Sequence, residues 1–333
     1  MNYSIKTSII ILTYNELQAG TIPCVESIYK YTDINDFELI IIDNASRDNT
    51  PRYLQELKEK YNNVKIQLNA KNKGFPAGMN DGLKLADGEF LVLLNNDILV
   101  TPDWLNDLLA PLKTNSEIGL VGPLSNNVGT EQRIDIEGLD KNNYVDYTRE
   151  YLNRHKREIF FTKRICFSCV ALRHDVFENI GFLDENFGIG FYEDDDYCLR
   201  ILKAGYKLAV AEGCFIYHQG SLSFDKANRD HGLKNELYLC KKHNFTWTGT
   251  VTAIAYLNKI KDDLLKYQST HSALDPNLEK IMVRLKGFED YLAGLNKFEI
   301  KARKRMKPTF LERFKRGFSA PERFIRKQIL KKT

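Results

Sequence analysis

Four short runs of apolar, largely β-branched residues alternate with amphipathic segments over the first hundred residues of this 333-residue sequence. This alternation limits the possible folds more than any other feature. Repeated strand–helix–strand units require right-handed crossover connections and a mainly parallel sheet. We therefore expect an α/β fold with a mainly parallel central sheet. The predicted strands are Ser8–Leu12, Glu38–Asp43, Val64–Leu68 and Glu89–Leu94, with helices at about 16–31, 50–61 and 76–86.

The pattern becomes less regular after residue 100. Thr101 is predicted to cap a further helix that has Pro102 in its first turn, and Gly205 is predicted to end another. Residues 125–160 read as loops over a binding site. Further strands are predicted at 118–121, 165–172, 207–210 and 214–217, a helix at 193–204, and helical sequence from Leu233 onward. We divide the chain into a sheet domain at 1–235, with halves 1–100 and 101–235, a helical region at 236–296 and a tail at 297–333.

Charge is distributed unevenly along the chain. The tail from Lys297 onward carries 14 Lys or Arg against three acids, whereas the first 296 residues carry 34 bases and 41 acids. Apolar and aromatic residues alternate with the tail's bases, which is typical of amphipathic helices on an anionic membrane surface. Packing of the tail on protein is the alternative. No nucleic acid partner is expected, because the acidic body contains no base-reading motif.

The cysteines and the hydropathy profile indicate a location in the cell. Six cysteines in a chain with no signal-peptide pattern are typical of reduced thiols. No apolar stretch approaches the roughly 18 residues that cross a bilayer. We expect a cytoplasmic protein, with peripheral attachment to the inner face of the plasma membrane through the tail. A zinc site at Cys166, Cys169, Cys214 and His218 has loose spacing, which favours buried core thiols instead.

Polar side chains follow all four strands of the first half. Because ligands bind beyond the carboxyl ends of parallel strands, we expect a site at this edge of the sheet. Asp43 can accept a hydrogen bond from the N3–H group of a uracil or thymine ring, or it can cap the following turn. Asp97 suits a divalent cation, or it belongs to an Asn-Asn-Asp turn without a metal.

Four consecutive acids, Glu193 to Asp196, open the helix predicted at residue 193. The helix dipole stabilises acids in a first turn by about 0.3–1 kcal/mol each, which accounts for one or two of them. Crowded carboxylates also repel one another, and this raises a pKa and makes a better base near neutral pH. Asp196 is predicted to face the helix interior or to pair with Arg200, four residues later.

Together these segments resemble the family 2 glycosyltransferases of the GT-A fold, particularly the rhamnosyltransferase-like branch. The resemblance covers roughly residues 6–225 and follows the family's order. It implies a Rossmann-like nucleotide-diphospho-sugar transferase fold with a C-terminal helical extension. The segments that carry it are Ser8–Asn15, Ile42–Ser46, Asn72–Gly74 with Asn80, Leu94–Asp97, and Phe191–Asp196 with Arg200.

The resemblance also implies roles for individual residues. Asp194 would be the general base, and Glu193 would contact the acceptor or orient Asp194. Asn95 stands where the family's usual motif has the first of two aspartates, so a Mn²⁺ or Mg²⁺ ion would rest on Asp97. His218 would be a second metal ligand, or it is structural. The nucleotide-sugar site would comprise Thr13, Tyr14, Asn15, Asp43, Asn72, Gly74, Asn80, Asn95, Asn96 and Asp97, with Lys226 and Arg229 as phosphate partners on a closing segment.

The predicted function is an inverting, metal-dependent hexosyl-, hexosaminyl- or rhamnosyltransferase. It would use a UDP- or dTDP-sugar and a glycan, lipid-linked or protein acceptor, in cell-surface polysaccharide or glycoconjugate synthesis. One alternative is a catalytically inactive, donor-binding scaffold subunit of a glycan assembly complex, which Asn95 favours. A sugar nucleotidyltransferase is disfavoured because no glycine-rich basic loop follows the first strand. The helices at 250–296 could pair between chains, which leaves an oligomer open.

Overall fold

The computed structural model of the chain describes residues 5–220 and 229–244. The predictions for Lys226, for the helices at 250–296 and for the basic tail lie outside these residues. The side chain of Arg229 is likewise not described. Within the described ranges, no helix is both long enough and apolar enough to cross a membrane.

Strands and helices alternate along the described chain. The strands are β1 (Ile5–Thr13), β2 (Phe37–Asp43), β3 (Val64–Leu68), β4 (Gly88–Asn95), β5 (Ile98–Val100), β6 (Ile118–Ser125), β7 (Ile159–Thr162), β8 (Cys169–Arg173) and β9 (Lys207–His218). The helices are α1 (Ile22–Tyr31), α2 (Thr50–Lys60), α3 (Phe75–Leu83), α4 (Trp104–Thr114), α5 (Tyr144–Arg154), α6 (His174–Ile180), α7 (Glu193–Lys203) and α8 (Arg229–His243). A π-helical turn at Leu17–Thr21 leads into α1, and short 3₁₀ turns lie at Ile34–Asp36 and Glu185–Phe187.

All of these strands belong to one sheet. Its order is β3-β2-β1-β4-β8-β6-β9-β5, and β7 pairs with β9 beside this path. The first four strands in that order are parallel to one another, as predicted from the alternation. Beyond β4 the sheet is mixed, because β8 runs antiparallel to both β4 and β6 while β6 and β9 are parallel.

The sheet is buried on both faces, which explains the continuous apolar runs of its strands. Successive side chains of a strand point to opposite faces. Ile9 and Ile11 thus pack with the layer of α1, α2 and α4, whereas Ile10 packs with α3, α6 and α7. A third, smaller cluster places α5 against β9.

Helix α3 approaches β1 unusually closely because it presents glycines to the sheet. A Cβ atom at Gly78 would collide with the Leu12 side chain, and one at Gly82 with the Ile10 side chain. Glycine normally weakens a helix interior relative to alanine. Here the close packing of α3 on the central strand requires it.

Four predictions for the second half of the domain were wrong in detail. Thr101 does not cap α4, since its buried hydroxyl donates to the carbonyl oxygen of Phe215 and α4 begins after Asp103. The segment at 125–160 is not only loop, because it contains α5 and β7. The strand predicted at 165–172 begins at Cys169, since the amide of Ile165 bonds to Cys198 Sγ instead. The two strands predicted at 207–217 form the single strand β9, which accommodates a register shift against β6.

The packing of α3 predicts opposite outcomes for two Gly→Ala substitutions in helices. Gly82→Ala should lower the free energy of unfolding by about 1–3 kcal/mol, because the added methyl group overpacks the contact with Ile10. Gly232→Ala in α8 is the matched control, because no described atom beyond the neighbouring backbone of its own helix lies within 4 Å of its added Cβ. It should leave stability unchanged or raise it by up to about 1 kcal/mol. Denaturant titration of both variants measures the difference, and equal effects would contradict the packing argument.

Candidate functional site

The predicted site residues of the first half meet at one edge of the sheet. The register of the parallel strands places Thr13 opposite Asp43, and Leu12 opposite Asn95. The loops that follow β1, β2 and β4 therefore begin side by side. Tyr14 and Asn95 are half-buried at this edge.

Asp43 and Asn15 organise the first two of these loops. The Asp43 carboxylate is buried and accepts from the Ser46 amide at 3.1 Å, so it does cap the following turn. Burial raises its pKa, although the hydrogen bonds from Ser46 oppose this. Asn15 has a left-handed φ of 55°, and its amide donates to the Ser46 hydroxyl at 2.7 Å. Its side-chain oxygen accepts from the Arg47 amide at 2.8 Å, so Asn15 joins the two loops.

Asn44 shapes the third loop, at 69–74. Its side-chain nitrogen donates to Asn72 Oδ1 at 2.9 Å and to the Gly74 carbonyl at 3.2 Å. Its oxygen accepts from the Lys73 amide at 3.0 Å. The left-handed Gly74, with φ 83°, then lies against the Gly188 carbonyl, where any Cβ would collide. This contact brings the 69–74 loop against the segment that leads into α7.

Three of the residues predicted to bind the nucleotide sugar form hydrogen bonds within the protein. Asn96 donates to the hydroxyls of Thr13 and Thr21 at 3.2 and 3.1 Å, and these two hydroxyls lie 2.7 Å apart. Asn80 donates to the Leu183 carbonyl and to Glu185 Oε1, both at 2.9 Å, and accepts from the Leu183 amide. Thr13, Asn80 and Asn96 are buried, and these bonds hold the loops around the site in place. Their contact with a nucleotide sugar stays a prediction.

Asp97 and His218 are brought together by the pairing of β5 with β9. Ile98 lies opposite His218 in that pair, and His218 Nε2 is 3.2 Å from Asp97 Oδ2. His218 Nδ1 lies 2.6 Å from the Asn127 carbonyl, which can only accept. We therefore assign the proton to Nδ1, and a neutral ring then directs the Nε2 lone pair at a carboxylate. Burial lowers the pKa of His218, but Asp97 and the Asn127 carbonyl outweigh it, and the pKa is raised.

The Asp97–His218 pair has the chemistry of a partial metal site. Asp97 Oδ1 is buried and has no hydrogen-bond partner in the described residues. A carboxylate oxygen and an imidazole nitrogen are both ligands for divalent cations, and a bound cation would take the place of the proton that Asp97 favours on His218 Nε2. No group of three or more His, Cys, Asp or Glu side chains suited to a metal occurs in the described ranges. The remaining positions on a cation here would fall to phosphate oxygens and water. Cys169 and Cys214 lie in the apolar core.

Two of the four acids at the start of α7 are paired with arginines. Arg164 binds Asp195 through two nitrogens, with Nη2 at 2.9 Å from Oδ2. Arg200 donates to the fully buried Asp196 at 2.9 Å, which confirms the predicted pair. Asp196 also accepts from Lys242 and His243. Asp195 and Asp196 are therefore neutralised by cations of the fold.

Glu193 and Asp194 remain, and both have displaced pKa values. Burial and then the neighbouring Asp195 raise the pKa of Asp194 to about 7, although Arg164 opposes this. Burial and Asp194 raise the pKa of Glu193 well above its usual value. Glu193 Oε2 has no hydrogen-bond partner in the described residues, whereas Asp194 is partly exposed. Asp194 can therefore exchange a proton with a bound molecule near neutral pH.

Sequence reasoning missed two residues that shape this site. Asn44 belongs to the Ile42–Ser46 segment, which carried the family resemblance. Its position in that segment was the only indication of a role in the site. Arg164 lies 31 residues before its partner Asp195, directly before the strand predicted at 165–172. No local pattern connects those two residues.

Comparison with known proteins agrees with this architecture. The family described as Glycosyl transferase family 2 matches the sequence over residues 8–181. A chondroitin synthase of Pasteurella multocida is 26% identical over 243 residues, which cover 66% of this chain and 25% of that protein. A dolichyl N-acetyl-alpha-D-glucosaminyl phosphate 3-beta-D-2,3-diacetamido-2,3-dideoxy-beta-D-glucuronosyltransferase of Methanococcus voltae is 26% identical over 209 residues, 60% of this chain and 63% of that protein.

Among solved structures, GalNAc-T7 with UDP, GalNAc and Mn²⁺ superimposes with a TM-score of 0.56 at 20% identity. The match covers 71% of this chain and 48% of that chain. The present chain thus spans less than two thirds of the length of each of these three proteins. At this identity the likeness concerns the fold, and it confirms the predicted GT-A class. Because the family match extends over more than half of its residues, the chain belongs to glycosyl transferase family 2.

Proposed function

We propose that this protein is an inverting glycosyltransferase that moves a sugar from a nucleotide diphosphate to an acceptor hydroxyl, with Asp194 as the general base. The observation that carries the proposal is the state of the acids on α7. Two of the four are neutralised by Arg164 and Arg200, while Asp194 is left partly exposed with a pKa of about 7. Family membership supplies the reaction class.

Contacts between the two halves of the domain support a shared cleft. The Phe75 amide lies 3.3 Å from the Ile189 carbonyl, and Gly74 packs on Gly188. The loop expected to hold the donor therefore contacts the segment that presents Asp194. A donor sugar bound beside this contact would have its diphosphate near the donor loops and the acceptor near Asp194.

The proposed reaction is a single displacement. The acceptor oxygen forms a bond to the anomeric carbon while its proton passes to Asp194. The bond from that carbon to the diphosphate oxygen breaks, and the diphosphate leaves with the electron pair. Asp97 and His218 would hold a Mn²⁺ or Mg²⁺ ion, which supplies positive charge for the departing diphosphate. No protein nucleophile takes part, so the configuration at the anomeric carbon inverts.

The donor is proposed to carry uridine or thymidine diphosphate. The buried Asp43 carboxylate at the end of β2 is suited to the N3–H group of either base, and Asn72 and Gly74 line the adjoining loop. The UDP and Mn²⁺ in the GalNAc-T7 structure are consistent with this choice.

The relatives favour a glycan or lipid-linked acceptor in cell-surface polysaccharide or glycoconjugate synthesis. A cytoplasmic enzyme attached to the membrane by its basic tail would suit such acceptors.

A catalytically inactive, donor-binding scaffold subunit is the second candidate. The observation that favours it is Asn95, which leaves Asp97 as the single carboxylate of the motif after β4. Turnover separates the two candidates, because a scaffold would bind a nucleotide sugar without consuming it.

Substituting the proposed base should separate chemistry from donor binding. Asp194→Asn should lower kcat at least 100-fold, because the amide cannot accept the hydroxyl proton. The Kd for UDP should change less than threefold, since the residues proposed to bind the donor lie on the other half of the domain. Glu178→Gln, an exposed acid on α6, is the control and should transfer at the wild-type rate. Transfer assays with the donor that a nucleotide-sugar screen identifies measure kcat, and calorimetry measures the Kd for UDP. Wild-type transfer by Asp194→Asn would refute the assignment.

The raised pKa of Asp194 predicts a pH profile. A base acts only when deprotonated, so kcat/KM should rise with pH and level off above a midpoint near 7. An ordinary aspartate would already be ionised by about pH 5 and would give a flat profile through neutrality. The dependence of kcat/KM between pH 5 and 9 distinguishes these cases.

Metal binding can be measured without turnover. Asp97→Asn should weaken Mn²⁺ binding in the presence of UDP at least tenfold, because it removes the proposed carboxylate ligand. His218→Asn should weaken it less, since a neutral ligand is lost. Asp103→Asn, on an exposed turn, is the control. Electron paramagnetic resonance of free Mn²⁺ reports the affinity, and equal binding by Asp97→Asn and wild type would exclude this site.

A further inference from the structure

We infer that Asn235 of α8 is a positioning residue for Asp194, because it holds the left-handed turn at 190–192 that leads into α7. The inference rests on the proposed function, in which Asp194 is the base. Asn235 does not touch the reacting atoms in this account. It acts through the backbone that presents them.

The turn has an unfavourable backbone. Gly190 has a φ of 134°, Phe191 of 74° and Tyr192 of 69°. Left-handed conformations are disfavoured for bulky residues, and here two such residues follow one another. A turn of this kind persists only when surrounding contacts fix it. The next two residues are Glu193 and Asp194, so the turn sets where α7 begins.

Asn235 supplies such a contact from a different part of the chain. It is 4% exposed, and its side-chain nitrogen donates to the carbonyls of Phe187, Gly190 and Phe191 at 2.7, 2.8 and 3.1 Å. All three partners can only accept, so the amide must face them with its nitrogen. One side chain thus ties Phe187 to the first two residues of the turn.

Other contacts of α8 hold the helix in place independently of Asn235. Tyr192 donates to Glu236 at 3.1 Å, and Tyr238 donates to Asp184 at 2.9 Å. Lys242 pairs with Asp184 at 2.6 Å. These bonds hold α8 on the same segment, so loss of Asn235 alone should loosen the turn without releasing α8.

The two residues directly before the turn contact the donor half. Gly188 packs against Gly74, and the Ile189 carbonyl accepts from the Phe75 amide. The turn therefore lies between the start of α3 and α8. The three partners of Asn235 lie in the segment that leads into α7 and not in the donor loops, which is why its loss should affect chemistry more than donor binding.

The test compares full-length Asn235→Ala and Asn235→Asp with wild type and with Lys234→Ala, an exposed neighbour on α8. The measurements are kcat, donor KM, UDP affinity by calorimetry, and amide hydrogen exchange over residues 187–196. We expect Asn235→Ala to lower kcat about 10- to 100-fold, because small displacements of a catalytic group are costly. Donor KM and UDP affinity should stay within about twofold. Exchange over 187–196 should increase, while exchange over 88–97 stays unchanged.

Asn235→Asp should be more impaired than Asn235→Ala, because its carboxylate would face three carbonyl oxygens. Lys234→Ala should match wild type. If wild type transfers sugar and Asn235→Ala transfers it equally well, the inference fails and the proposed function stands. If Asn235→Ala loses UDP binding together with kcat, its role is in global folding and positioning is refuted. If wild type transfers from no nucleotide sugar, the proposed function fails, and the positioning role with it.

Discussion

The parallel register of β1, β2 and β4 is the constraint on which the rest of the site depends. Backbone hydrogen bonding places Thr13, Asp43 and Asn95 side by side, where three loops begin. Both faces of these strands are buried, so a one-residue slip would exchange the two sets of core side chains. Core packing therefore fixes the register, and the register fixes where the site can form.

Polar side chains then connect this edge to the second half of the domain. Asn44 shapes the 69–74 loop, which carries Gly74 against Gly188. From there the chain turns through left-handed residues into α7, where Arg164 and Arg200 neutralise two of four acids. The same low-dielectric surroundings that make those ion pairs strong raise the pKa of Asp194. Burial of the start of α7 thus accounts both for the ion pairs of Asp195 and Asp196 and for the raised pKa of Asp194.

The sequence predicted β1 to β4 and the edge that carries the site, because apolar runs and strand-end polar residues are local signals. The Asp196–Arg200 pair was equally accessible, since four residues make one helical turn. The bonds that Asn80 and Asn96 make within the protein could not be predicted, because a polar residue near a strand end or a helix looks the same in sequence whether it faces a ligand or the protein. Arg164 and Asn235 act on residues 31 and more positions away, and such contacts leave no periodic pattern.

In the proposed mechanism, Asp194 activates the acceptor hydroxyl for a direct displacement. Proton NMR of the transfer product measures this most directly, because the anomeric coupling constant reports the configuration at the reacting carbon. A direct displacement gives a product with the anomeric configuration opposite to that of the donor. A product that retains the donor's configuration would require a different mechanism and would contradict the assigned role of Asp194.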